Sequence, residues 1–119
     1  MSEPSVRTRK VASLLQKEIA DIVRNEVRDP RLQNFMMVTI SAVDLAPDHR
    51  NATVYVSFMG QSEEEERKKG VAALTKAAGF IQRLLLKRLS MKNIPLLLFR
   101  YDDSFDYADK MSQALKKLS

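Results

Sequence analysis

Residues 76–90 read KAAGFIQRLLLKRLS, and the fold turns on whether the chain runs through Gly79 or breaks there. Apolar residues keep helical spacing on both sides: Val71, Leu74 and Ala78 before the glycine, Ile81, Leu85 and Leu89 after it. Two readings fit that spacing. In one, Gly79 is a helix C-cap and the next helix starts at once. In the other, the helical region turns sharply at a residue whose missing Cβ makes unusual backbone angles sterically cheap. Either way the expectation is two helical pieces joined by almost no loop, and a positive φ at Gly79 would be the signature. Ala77 and Ala78 add little bulk beside it, so the corner would be bare.

Upstream, Val6 to Val27 forms the first long helix in prospect, with Val11, Leu14, Leu15, Ile19, Ile22, Val23 and Val27 on a core-facing stripe. Asp29-Pro30 then stops it, because the residue before proline is pushed out of helical angles. From Met36 to Leu45, MMVTISAVDL alternates as a strand rich in β-branched residues. A turn-rich APDHRN leads to a second strand, Ala52 to Met59, with Ala52, Val54, Val56 and Phe58 on one face. The two strands are expected to pair as an antiparallel hairpin. Gly60 ends it, and Ser62 with Glu65 suggests a capping box for the next helix. Glu63 to Glu66 suit the positive end of that helix, and Glu63–Arg67, Glu64–Lys68 and Glu65–Lys69 have i,i+4 spacing. The acidic run therefore reads as structural.

Downstream, Ile94-Pro95 introduces LLLFRY at Leu96 to Tyr101, whose three leucines suggest a strand buried on both faces or at least central in the sheet. DDSFDYADKMSQALKKLS reads as a final helix with Ser104 as N-cap, Ala108, Met111, Leu115 and Leu118 inward, and Lys116 and Lys117 at its negative end. The order is helix, strand, strand, broken helix, strand, helix. It describes an α+β domain with a three-stranded sheet packed against helices.

A chain of 119 residues suits one domain with one core, expected to be ordered from about residue 6 to 118 with a flexible stretch before it. There is no cysteine, hence no disulfide framework, thiol nucleophile or thiolate metal site. MSEPSVRTRK contains no apolar segment to act as a signal, and no apolar run approaches membrane-spanning length, so a soluble cytoplasmic protein is expected. Twenty Lys+Arg against fifteen Asp+Glu leave a net charge of +5, and the sequence pI is near 9.6. Such a balance favours polyanionic partners.

The cations fall on a surface. At about 100° per residue, Lys69, Lys76, Arg83 and Lys87 share a stripe opposite Val71, Leu74, Ile81 and Leu85. Arg7, Arg9 and Lys10 crowd the first turns of the first helix, where positive charge opposes the helix dipole; a solvated polar face with Pro4 and Ser5 as a start signal and an anionic partner are both open readings. Arg7, Lys10, Lys69, Lys76, Arg83, Lys87 and Arg88, with the bare Ala77-Ala78-Gly79 corner, form the candidate RNA-binding set. Phe80 falls near the stripe on a collinear helix and is expected to be turned into the core by the break.

Catalytic groupings are poor. His49 is the only histidine and lies in a turn, where it is expected to be solvated, so no histidine cluster is available. Asp44, Asp48, Asp102 and Asp103 would be the only basis for a metal-dependent ribonuclease, yet all lie at strand ends or turns, where aspartate serves local hydrogen bonding. No phosphate-binding glycine signature is present. The chief rival to RNA binding is a small basic protein-interaction module without direct RNA contact.

An ordered set of short matches resembles the ribosome-binding factor A family. It comprises Arg7-x-x-Lys10-Val11, Gln16-Lys17-Glu18-Ile19, DPRL at 29–32, VTI at 38–40, PD at 47–48, ATVYVS at 52–57, AAGFI at 77–81 and DDS at 102–104. Lys10 stands where that family usually has arginine, and Ala108 where the last helix commonly has glycine. The resemblance implies a type II KH-like fold in which Ala77-Ala78-Gly79 replaces the usual Gly-x-x-Gly loop. It further implies a non-enzymatic, cofactor-free assembly factor of the immature small ribosomal subunit. Binding to 16S ribosomal RNA, promotion of precursor 5′-end processing and a role in growth in the cold belong to that picture. So do a monomeric state and other assembly factors, GTPases among them, as further partners.

Overall fold

A computed structural model describes residues 5–60, 63–104, 111–112 and 114–116. Helix α1 (Val6–Asn25) begins at Ser5, whose hydroxyl accepts the Thr8 amide at 3.1 Å and satisfies one of the free donors of the first turn. Its face of Leu15, Ile19, Ile22 and Val23 is buried, whereas Leu14, expected on that face, is exposed. The helix ends at Asn25, short of the expected Val27 and of the Asp29-Pro30 pair. Asp29 is itself an N-cap and Pro30 occupies the first turn of a short helix, α2 (Pro30–Gln33).

Strands β1 (Met37–Leu45) and β2 (Asn51–Met59) form the expected antiparallel hairpin, and β3 (Leu96–Tyr101) pairs parallel with β2. The sheet order is β1-β2-β3, so β3 is an edge and β2 the centre. The run of three leucines misleads for a physical reason: one face of the sheet is uncovered by described residues, leaving Leu96 and Leu98 exposed while Phe99 is buried. Met37 and Met59, cross-strand neighbours, are exposed as well.

The register of β1 slips between Ile40 and Ala42, leaving Ser41 as a bulge. The slip is required by the sequence. Val38 and Ile40 share one parity and Val43 and Leu45 the other, and one extra residue brings both pairs to the core face.

Helix α3 (Glu64–Arg88) crosses between the parallel strands and is uninterrupted over 25 residues. Neither expected form of the Gly79 corner is present: Gly79 is helical, and among the described residues only His49 and Gly60 have positive φ. Ala73, Leu74, Ile81 and Leu85 stay in phase across Gly79 and are buried together. The N-cap is Glu63, with no side-chain capping bond; Ser62 of the expected capping box lies outside the described residues. Lys68 reaches Glu64 at 3.5 Å, and Lys69 takes Glu66 at 3.3 Å in place of Glu65.

The glycine that packing requires is Gly70. A Cβ there would lie 2.8 Å from Phe58 Cε1 and 2.9 Å from Phe35 Cε2. Those two rings stack at 4.3 Å between centroids, Phe58 lies 6.1 Å from Tyr101, and the Arg67 guanidinium sits 4.6 Å over the Tyr101 ring. The backbone of α3 thus rests directly on aromatic faces. Most of the expected final helix, including Ala108 and Leu118, falls outside the described residues; Met111 and Leu115, expected inward, are exposed.

Candidate nucleic-acid interface

Since α3 continues through Gly79 without a change of phase, its outer side is fixed by its inner side. Lys76, Phe80, Arg83 and Lys87 are all exposed, on the side away from Leu74, Ile81 and Leu85. Phe80 is 38% exposed and so stands outside the core, contrary to expectation, because only a break at Gly79 would have rotated it inward. Gly79 is open: a Cβ would meet only Arg83 Nη1, at 3.6 Å. Ala77 and Ala78 are half-buried at the edge of the core. An aromatic ring flanked by two cations beside a patch of bare backbone offers stacking and phosphate contacts together.

Two cations of the expected set are engaged in structural pairs. Lys69 is bonded to Glu66. Arg88 reaches Asp21 at 2.6 Å, Glu18 at 3.4 Å and Glu26 at 3.9 Å, fastening the end of α3 to α1. The hydrogen bond from Arg88 holds the Asp21 carboxyl below the ordinary carboxylate range, and that same bond raises the guanidinium in turn. Lys10 is exposed on α1.

Two hollows flank α3, and a third lies beyond its C-terminal end. One, of about 400 Å³, brings Lys76 and Phe80 together with Arg28 and Asp29. Asp29 is held down to about 2, first by its hydrogen bonds from the Arg31 side chain and the Arg31 amide, with the charge of Lys76 adding to the effect. The second, about 450 Å³, lies between Gly79, Arg83 and Leu86 on α3 and Lys92, Asn93 and Ile94. The third, about 540 Å³, shares Lys92, Asn93 and Ile94 and adds Arg7, His49 and Arg50. Arg7 therefore joins a different group from the α3 stripe. Sequence reasoning missed Arg28, Arg50 and Lys92. They lie singly in loops and turns, with no periodicity to flag them.

His49 is not simply solvated. It holds a left-handed φ of 60° and its Nε2 lies 3.0 Å from Thr8 Oγ1, which also accepts from Ser5. Of the four aspartates, Asp102 is bonded to Ser41 Oγ and the Ser104 amide, and Asp48 accepts the Arg50 amide. Among the described residues, no three His, Asp or Glu side chains group so as to hold a metal ion, and no helix is long and apolar enough to cross a membrane.

Residues 7–115 match the family described as Ribosome-binding factor A. A protein of that description from Syntrophobacter fumaroxidans is 39% identical over 112 residues, which is 94% of this chain and 93% of the relative. The crystal structure of ribosome-binding factor A from Thermus thermophilus superposes with a TM-score of 0.67 at 28% identity, covering 79% of this chain and 93% of that one. A Thermus thermophilus ribosome-binding factor A homology model, fitted into a cryo-EM map of a 30S complex, gives 0.61 at 26% identity, covering 77% and 91%.

Proposed function

The chain belongs to the ribosome-binding factor A family, and from that premise we propose that it binds the immature small ribosomal subunit through its 16S RNA. The observation that carries this reading is the outer side of α3, where Lys76, Arg83 and Lys87 lie along the same exposed side as Phe80 and none forms an ion pair among the described residues. Cations hold phosphates and set register, while the ring and the open Gly79 backbone admit an unpaired base. On this reading the factor favours one arrangement of the RNA until maturation changes that shape and differential affinity disappears. Late maturation, precursor 5′-end processing and growth in the cold follow as the proposed roles. Other assembly factors, including GTPases, are proposed partners at release. The protein acts as a cytoplasmic monomer and carries out no catalytic step.

Sedimentation of cell lysate tests this directly. The protein is expected to travel with free small subunits and to be scarce on complete ribosomes; uniform distribution across both, or recovery only at the top of the gradient, would overturn the assignment.

A further inference from the structure

Three cations from distant parts of the chain meet in the third hollow: Arg7 from the second residue of α1, Arg50 from the β1–β2 turn and Lys92 from the segment before β3. A solvated basic surface needs no such convergence. None of the three forms an ion pair among the described residues; Asp48, the carboxylate in the hollow, is bonded to the Arg50 amide at 3.0 Å. The walls are held in place. The Arg50 carbonyl accepts the Leu96 amide at 2.9 Å, tying the turn to the start of β3. On the other side, His49 anchors the turn to Thr8 of α1 at 3.0 Å. His49 keeps its left-handed φ to do so, a local cost of the kind that persists where surrounding structure imposes it. The first turn of α1 contains no acidic residue, so the partial positive charge of the helix start adds to that of Arg7.

We infer that this cleft is a second phosphate-binding site for RNA, continuous with the α3 surface through Lys92, Asn93 and Ile94, which line both hollows. It rests on the reading of α3 as an RNA interface and extends it. The RNA backbone passes from Arg83 beside Gly79, over the segment containing Lys92, to Arg7 and Arg50. Binding here is by charge and preorganised shape, so it is indifferent to base identity.

The experiment compares three triple variants for small-subunit binding across a salt series. They are R7Q/R50Q/K92Q in the cleft, K76Q/R83Q/K87Q on α3, and K17Q/R24Q/K68Q as a control with the same change in net charge. Removing one phosphate–cation pair lowers the log–log salt slope by roughly 0.7–0.9, so the cleft triple is expected to lower it by roughly 2–3 while the control changes it little. If the cleft slope is unchanged or equals the control while the α3 triple falls, the cleft is a solvated patch and the α3 interface stands. If neither triple changes the slope, the RNA reading itself fails and the cleft with it. Should the cleft triple not fold, K92Q alone, on an exposed position of the connecting segment, is expected to reduce the slope by roughly 0.7, and no reduction overturns the assignment.

Discussion

Ser41 Oγ donates to the Asp102 carboxylate at 2.7 Å across 61 positions of sequence, joining the bulge of one edge strand to the end of the other. The same hydroxyl lies 3.2 Å from the Tyr55 carbonyl of the strand between them. The residue that breaks the ladder thus acquires one partner on the neighbouring strand β2 and another just past the end of β3, which is how a bulge can be kept without leaving buried polar groups stranded.

Replacing Ser41 by alanine is expected to destabilise the protein by roughly 0.5–1.5 kcal/mol. It also changes acid behaviour. Hydrogen bonds from Ser104, then Ser41, hold Asp102 below its ordinary pKa of 3.8, so its contribution to stability is present above that value and lost as pH falls through the lower folded-state value. In the variant the Asp102 carboxyl should titrate closer to its ordinary value by NMR; an unmoved titration would show that the Ser41 bond contributes nothing.

Asp29 gives a second acid signature. With a folded-state value of about 2 against an ordinary 3.8, it favours the fold above about pH 4, and this favour drains away between there and pH 2. Asp29→Asn keeps a helix-capping oxygen but removes the charge. Its acid-unfolding limb, followed by circular dichroism, is expected to be shallower than that of the parent, and an identical limb would show that the Arg31 pair does not matter to folding.

The two helical glycines should respond oppositely to the same change. Gly79→Ala adds a methyl in open space within a helix and is expected to stabilise by about 0.5–1 kcal/mol. Gly70→Ala drives a methyl into the Phe35 and Phe58 rings and should cost about 1–3 kcal/mol. Melting temperatures moving in the same direction would contradict this account of α3.

Phe80→Ala separates stacking from packing. The expected result is an undiminished melting temperature with binding to small subunits weaker by about 1–3 kcal/mol, the range for one aromatic–base stack. A lower melting temperature at unchanged affinity would return Phe80 to the core.

Arg88→Gln should do the reverse of the α3 stripe variants. The expected outcome is a lower melting temperature, because Glu18, Asp21 and Glu26 lose their shared partner between α1 and α3, with a salt slope no different from the parent. A reduced slope at full stability would place Arg88 among the phosphate contacts.

The elements were legible where periodicity is regular. The phases of α1 and α3 and the hairpin follow directly from apolar spacing, and the bulge is foreshadowed by Val38, Ile40, Val43 and Leu45, whose parity changes midway. Gly79 misled because flexibility at a glycine is permission and not instruction, and helical neighbours on both sides decide the outcome. Gly70 was overlooked, since its role depends on rings brought over by β2 and the segment before β1. The leucines of β3 suggested burial because a strand with one uncovered face need not alternate cleanly. Of the cleft only Arg7 carried a local signal, its charge against the helix dipole; Arg50 and Lys92 become its neighbours only when turn, helix start and connecting segment converge.

The central place of β2 sets an order of assembly during synthesis. Its antiparallel partner precedes it by one turn, but its parallel partner emerges only after the whole of α3. We therefore expect a nascent chain to hold a finished hairpin with one open flank for as long as it takes to make residues 60–95, a template for unwanted strand addition. Ribosome-bound chains stopped before Leu96 should accordingly need chaperone shielding that chains stopped beyond Tyr101 do not, and equal chaperone occupancy at both lengths would refute it.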